Sequence, residues 1–339
     1  MGNVCGIFES GYSPAELIMK IGIIGYGNLG RAVETVAQDH GDIEVFGVFT
    51  RREQESINTR YARAYPVSEL MRYRKEIDTL ILCYGSSSDL PYAAVDMIRH
   101  FNLVDTYDNH KRIEDHKSSL DTVARACGRT AIISFGWDPG LLSVIRLILS
   151  AMIPHSSVNT FWGRGISQGH GEAIRRIPGV IRAIQYTVPR ADALTLASLV
   201  SHPLDDTDRH KRVCYVAAEK EKEDAVRDSI LSMENYFLGY DTEVHFVAPD
   251  DPVFESATPS HRGRVYAIGK SGVYGETRHT AYFDLDLGSN PELTAHIALL
   301  GARIGYSLFL KKRYGAYSIF DLPLSEICKS CGKNVNDYL

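Results

Sequence analysis

Residues 20–31 read KIGIIGYGNLGR. A short apolar run, Ile21, Ile23 and Ile24, leads into Gly25-Tyr26-Gly27-Asn28-Leu29-Gly30, and an amphipathic segment follows at once. This is G-x-G-x-x-G in the context that gives it meaning, namely strand, tight turn and helix start. Gly25 permits the turn, Gly27 lets backbone N–H groups approach a pyrophosphate, and Gly30 lets helix and strand pack closely. The pyrophosphate would sit on the helix N-terminus, where amides without helical partners and the dipole favour an anion. A purely structural glycine turn is the competing explanation, and the two correct flanks favour a dinucleotide site.

The second strand of such a fold carries the group that reads the ribose. The candidate is 43–49, followed by Thr50-Arg51-Arg52. An acidic residue there would hold a 2′-hydroxyl, whereas arginine accommodates a 2′-phosphate. Guanidinium offers planar, paired donors matched to phosphate oxygens. Two adjacent arginines with no carboxylate in the run 50–52 point to NADP, against the plainer possibility of a solvated charge pair.

Size and charge narrow the rest. The chain has 339 residues, enough for two domains, and 44% of them are apolar. A formal charge of -5 gives no electrostatic reason to expect nucleic acid or an anionic membrane as partner. The apolar stretch 141–153 is interrupted by Ser143, Arg146 and Ser150 and is too short to span a bilayer, so a buried helix is expected. Six scattered cysteines fit reduced thiols in a cytoplasmic protein. Cys328 and Cys331 form one CxxC without a second ligand pair, so no metal site is expected. Residues 1–18 lack the regions of a signal peptide, and position 6 is Gly6 where myristoylation needs Ser or Thr. They read as a loosely ordered extension ahead of a second methionine, Met19.

From 19 to 136 the rhythm is strand, helix, strand, with strands at 21–25, 43–49, 79–84, 103–105 and 131–134 and helices at 31–38, 91–101 and 113–127. This alternation predicts an α/β fold with a Rossmann-type, doubly wound parallel sheet and a dinucleotide-binding domain over 19–136. After Trp137 the strands 160–162, 185–188, 212–216, 243–247, 264–268 and 281–287 have fewer helices between them. These six predict one mostly antiparallel or mixed sheet in an α+β substrate-binding and dimerisation domain, 137–290. A long helix begins at Pro291, and the segment 291–322 is expected to pack back on the first domain, leaving 323–339 as a tail.

Chemistry concentrates at the sheet's carboxyl edge, where such folds bind ligands. Val104-Asp105-Thr106-Tyr107-Asp108 follows one strand, and Ser134-Phe135-Gly136-Trp137-Asp138-Pro139-Gly140 follows the next. Two carboxylates, Asp108 and Asp138, thus lie on two loops at one edge, which suits an ammonium group. Helix capping by both is an equally open explanation. Phe161-Trp162-Gly163 and Ser167-Gln168-Gly169-His170 supply an aromatic wall and a polar loop, while Arg212 and His261 are candidate carboxylate clamps or ordinary surface groups. No nucleophile elbow and no HExxH is present, which leaves hydride transfer as the economical chemistry.

Taken together, GYGNLGR (25–31), the arginine pair, LCYGSSSD (82–89), VDTYDNH (104–110), GWDPG (136–140), TFWGRGISQGH (160–170), RRIPGV (175–180), QYTVP (185–189) and HKR (210–212) closely resemble the meso-diaminopimelate D-dehydrogenase family. The resemblance runs from Met19 to the last helix. It implies NADP-dependent oxidative deamination of the D-centre of meso-diaminopimelate, giving L-2-amino-6-oxopimelate and ammonia, in lysine biosynthesis by a cytoplasmic homodimer. It further implies that Asp108 and Asp138 hold the reacting amino group, with Trp137, Trp162, Gln168 and Gly169 around them. Thr187, Arg212, His261 and Asn290 would hold the distal L-centre. Cofactor contacts would come from Gly25, Tyr26, Gly27, Asn28 and Leu29, and from Thr50, Arg51 and Arg52. Further contacts would come from Cys83, Tyr84, Gly85, Ser86 and Ser87, from Asp105, Thr106 and Tyr107, and from Phe135, Gly136 and Pro139. One departure stands out. The family often has serine after SQGH, where this chain has Gly171, so a substrate contact is expected to be missing.

The alternatives are another NADP-linked amino-acid pathway reductase, dihydrodipicolinate-reductase-like or semialdehyde-dehydrogenase-like, and a non-catalytic NADPH-sensing protein. The semialdehyde form would want a nucleophilic cysteine, for which Cys83 is the candidate at that edge. A sensor would have no need for two aspartates and an arginine clamp together.

Overall fold

In the computed structural model, which describes residues 18–53, 56–85, 90–200, 202–255 and 261–339, the chain divides into two compact units. One runs up to Leu141 and resumes at Pro291–Leu339; the other is Leu142–Asn290. The division falls after Leu141 rather than after 136, because the 136–140 loop closes on itself. Gly136 N–H donates to the Pro139 carbonyl (3.0 Å), and Leu141 N–H donates to that of Gly136 (3.1 Å).

The first unit is built on strands without a polar face, which are stable only in a sheet covered on both sides. Its strands are β1 (Met19–Ile24), β2 (Ile43–Thr50), β3 (Ala64–Pro66), β4 (Thr79–Leu82), β5 (Asn102–Asp105), β6 (Thr130–Ile132) and a closing strand, Gly315–Tyr317. All pair in parallel, in the order closing strand, β6, β5, β4, β1, β2, β3. Alternate side chains feed two cores. Ile21, Ile23, Val48, Val104 and Ile132 pack with α1 (Asn28–Val36) and with the long helix Asn290–Leu310. Ile24, Phe49, Leu80, Leu82 and Leu103 pack with α2 (Leu90–Met97) and α3 (Ile113–Cys127). The long helix has the length and apolarity to cross a bilayer, yet Ala295, Ala298, Leu299 and Ala302 are spent on this core.

Strand order reverses between β1 and β4, since β2 and β3 lie beyond β1 while β5 and β6 lie beyond β4. A crevice beyond the carboxyl ends of two such strands is the ligand position of a doubly wound sheet. The segment after β1 is the glycine-rich turn, and the segment after β4 is Cys83-Tyr84-Gly85.

The second unit corrects one expectation: its strands form two sheets, not one. A four-stranded sheet holds β8 (Gly165–Ile166), β9 (Val180–Pro189), β10 (His210–Ala218) and β11 (Asp241–Phe246). A three-stranded antiparallel sheet holds β7 (Ser157–Trp162), β12 (His261–Ser271) and β13 (Thr277–Leu287). Alternation along a strand reveals its two faces but not its neighbours. The tail is also less plain than expected, since Leu324–Ser330 is helical.

Candidate active site

The dinucleotide cradle is set by the turn after β1. Gly25 adopts φ +93°, in the left-handed region that favours glycine, and its N–H donates to the Phe49 carbonyl at 2.8 Å. A Cβ on Gly30 would stand 2.2 Å from the Gly25 carbonyl oxygen, so helix and strand could not approach with any other residue. A Cβ on Gly27 would meet nothing within 4 Å. The space over Gly27 is therefore open, and α1 begins beside it with no side chain capping its first amides. Those two observations fit a pyrophosphate on the helix N-terminus.

At the end of β2, a shallow cavity of about 470 Å³ is lined by Thr50, Arg51, Arg52, Pro66, Val67 and Ser68. Thr50 is buried and its hydroxyl accepts the Arg52 N–H at 3.1 Å. The Arg52 guanidinium donates to the Tyr26 carbonyl at 2.5 Å, and that of Arg51 lies 5.1 Å over the Tyr84 ring. Both cations are thus held at one cavity, as a 2′-phosphate requires. Glu53, which lies just past the run that pointed to NADP, also lines it.

The expected cofactor residues differ in what they can offer. The Tyr26 hydroxyl turns inward and donates to Glu34, so its side chain faces protein rather than the cradle. Leu29 packs on the core. Burial pushes the Cys83 thiol up, well away from a nucleophilic thiolate, which argues against semialdehyde chemistry. Asp105 is wholly buried and its carboxylate faces protein donors. Tyr107, Phe135, Gly136 and Pro139 are buried and Thr106 is half-buried. Ser86 and Ser87 lie outside the described residues, as do positions 1–17 of the expected extension.

Asp108 and Asp138 sit on the loops that leave the neighbouring strands β5 and β6, Asp108 exposed and Asp138 half-buried. Neither occupies an N-cap. Asn109 precedes the helical turn His110–Arg112, Arg112 precedes α3, and Gly140 separates Asp138 from the helix α4 (Leu141–Met152). Gly140 has φ +127°, and a Cβ there would overlap the Gly136 carbonyl, so only glycine fits at that position of the 136–140 loop. Trp137 is buried in that loop.

In the second unit, β9 and β10 pair Thr187 directly with Arg212. Both are buried, and Arg212 Nη1 donates to the Thr187 hydroxyl at 2.5 Å. Arg212 also lies 4.2 Å over the Tyr240 ring, and its buried Nε has no hydrogen-bond partner among the described residues. Burial lowers its pKa, although a guanidinium remains charged at any physiological pH. His261 starts β12, is buried, and donates Nδ1–H to the Arg262 carbonyl at 2.9 Å. Its ring packs so close on Gly165 that a Cβ there would lie 2.4 Å from Cδ2, and Gly165 pairs with Thr187. Thr187, Arg212 and His261 are thereby brought together. Trp162 is half-buried, and Gly169, near the start of the helix α5 (Gln168–Arg175), is exposed with open space around its Cα. Gly171 lies inside α5, where a Cβ would meet the Arg175 guanidinium at 3.2 Å. Asn290, the first residue of the long helix, is half-buried.

Two functional neighbours escaped sequence reasoning. His210 accepts the Trp162 N–H on Nε2 at 2.9 Å and packs its ring 5.1 Å from the indole, fixing that wall. Burial, then the Arg209 and Arg212 charges, lower its pKa to about 4, so it is a neutral acceptor. Glu34 is wholly buried in α1 and accepts the N–H groups of Arg60, Tyr61 and Ala62 besides the Tyr26 hydroxyl. A lone carboxylate on an amphipathic helix reads as solvated, and only the folded 60–62 loop reveals otherwise. Among the described residues, no group of three or more His, Cys, Asp or Glu could hold a metal.

Comparison with known proteins places this geometry. The model of the diaminopimelic acid dehydrogenase C-terminal domain matches residues 136–289. A meso-diaminopimelate D-dehydrogenase of Acetivibrio thermocellus is 38% identical over 310 residues, 90% of this chain and 92% of its own length. That of Ureibacillus thermosphaericus is 39% identical over 308 residues, 90% of this chain and 94% of its own length. Among solved structures, Corynebacterium glutamicum diaminopimelate dehydrogenase in complex with diaminopimelate superposes with a TM-score of 0.85 at 33% identity, covering 94% of this chain and 98% of that one. An engineered D-amino acid dehydrogenase bound to NADP⁺ gives a TM-score of 0.85 at 32% identity over the same shares. The chain belongs to the meso-diaminopimelate D-dehydrogenase family.

Proposed function

We propose that the protein oxidatively deaminates the D-centre of meso-diaminopimelate with NADP⁺, giving L-2-amino-6-oxopimelate, ammonia and NADPH. The first unit is the nucleotide domain and the second the substrate-binding and dimerisation domain of a cytoplasmic homodimer that serves lysine biosynthesis. The observation that carries this reading is the placing of Asp108 and Asp138 on adjacent loops at the carboxyl edge of the sheet whose glycine turn and arginine pair fit NADP.

When bound, NADP⁺ supplies the hydride acceptor. The chain's own residues handle protons and position. An ammonium cannot form an imine until it sheds a proton, and Asp108, Asp138 or a water held by them accepts it. Whichever carboxylate remains ionised then stabilises the cationic imine as water adds to its carbon and ammonia departs. Trp137, Trp162, Gln168 and Gly169 shape the reacting end. Arg212, with Thr187, His261 and Asn290, takes the distal L-centre and its carboxylate, so only one of two similar centres reaches the reacting position. Purified protein, meso-diaminopimelate and NADP⁺ at alkaline pH should produce NADPH and ammonia in equal amounts, and NAD⁺ should serve poorly. Absence of turnover with both cofactors would dismiss the proposal in favour of a non-catalytic NADPH binder.

A further inference from the structure

Asp105 ends β5 with its side chain fully buried, and every oxygen it owns is engaged. Oδ1 accepts the N–H of Tyr107 at 3.0 Å and the N–H of Ser134 at 2.8 Å. Oδ2 accepts from His116 Nε2 at 2.7 Å, and the main-chain carbonyl accepts the N–H of Phe135 at 3.0 Å. Tyr107 is the residue before Asp108, while Ser134 and Phe135 open the loop that carries Asp138. One carboxylate therefore ties together the starts of both loops. His116, itself buried on α3, also packs its ring 4.5 Å from that of Tyr107. Ser134 adopts φ +49°, a left-handed conformation costly for a non-glycine residue, and its N–H is one of those Asp105 holds.

A buried carboxylate–imidazole pair is a poor device for stability alone, because apolar side chains of the same volume avoid the desolvation cost. It is a good device for fixing directions, since each hydrogen bond constrains an angle as well as a distance. We propose that Asp105 and His116 are positioning residues that set the separation and orientation of the Asp108 and Asp138 loops. His116 aims Asp105, and Asp105 aims both loops. The inference rests on the reading of Asp108 and Asp138 as the carboxylates that meet the amino group.

The test separates placement from folding. His116→Leu should lower kcat on meso-diaminopimelate about a hundredfold, the scale of a misplaced catalytic group, with a much smaller rise in the KM for NADP⁺, whose expected contacts include the same two loops. His116→Gln, which keeps an N–H near the position of Nε2, should recover most of that loss. In an Asp138→Ala background, adding His116→Leu should cost clearly less than it does in the wild type, because only the Asp108 loop is left to be positioned. If His116→Leu fails to fold, His116→Asn, too short to reach Asp105, replaces it with the same expected split. A His116 variant that melts earlier yet keeps wild-type kcat, or one that loses equally in both backgrounds, overturns the inference. Wild-type kcat in both Asp108→Asn and Asp138→Ala would instead overturn the underlying reading, and this inference with it.

Discussion

A guanidinium buried between the Thr187 hydroxyl and the Tyr240 ring, with Nε lacking a partner among the described residues, carries a desolvation cost until an anion completes it. In the proposed reaction the distal carboxylate of the substrate would be that anion. Arg212→Met keeps the aliphatic stem and removes the fork, so it should weaken meso-diaminopimelate binding by about 2–4 kcal/mol. D-alanine has no distal carboxylate and should lose far less; comparing kcat/KM for both substrates checks this, and a uniform loss would mean that Arg212 supports the fold or the cofactor. Asp138→Ala should lower kcat/KM severely while NADP⁺ affinity and the far-ultraviolet spectrum persist, since Asp138 is half-buried in a turn outside the strands and helices. Near-normal activity would remove it from the mechanism. At this scale the chain was readable where chemistry is local. Arg51, Arg52, Asp108 and Asp138 follow strands with a recognisable rhythm. His210, His116 and Glu34 were not, because their partners Trp162, Asp105 and Arg60–Ala62 lie 48, 11 and 26–28 residues away.

Among elements, α1 does more than present amides. Burial alone would raise the Glu34 carboxyl, but the Tyr26 hydroxyl and the Ala62, Tyr61 and Arg60 amides outweigh it and hold it below the usual range. Through these bonds α1 clamps the glycine turn to the segment leading into β3, beside the arginine cavity. Glu34→Gln puts an amide donor against amide donors. It should destabilise the protein by about 1–3 kcal/mol and raise the KM for NADP⁺, with kcat little changed. Thermal unfolding and cofactor titration check it, and an unchanged KM would confine Glu34 to stability. Replacing Arg51 and Arg52 together by alanine should raise the KM for NADP⁺ about tenfold to a hundredfold while barely affecting NAD⁺. Equal loss on both cofactors would remove the phosphate assignment. The parallel sheet was legible because apolar runs alternated with helices. The closing strand was missed because Gly315–Tyr317 is too short to show a period and is recruited by β6, far back in the chain. The second unit split into two sheets for a related reason, since pairing there depends on strands up to about a hundred residues apart that periodicity does not connect.

For the molecule as a whole, acid should be the destabilising direction. His170 is held down to about 3 by burial and then by the Arg212 charge, and His210 is held down to about 4. Both are neutral when folded, whereas the unfolded chain takes up protons near 6.5. The unfolded state therefore binds more protons below that value, and the stability these groups contribute is present above it and lost as pH falls. Glu34 acts in the same sense further down, below its ordinary 4.5. Urea midpoints measured at about pH 7.5 and about pH 5 should fall on acidification, and a rise would contradict these environments. The proposed reaction is stereochemically selective: one D-configured centre is oxidised while a distal L-centre is gripped. The most direct measurement is NADPH formation by the purified protein with meso-diaminopimelate and with the L,L isomer, side by side at equal concentration. Rapid turnover of the meso isomer with near silence from the L,L isomer is the predicted result, and comparable rates on both, or turnover of the L,L isomer alone, would contradict it.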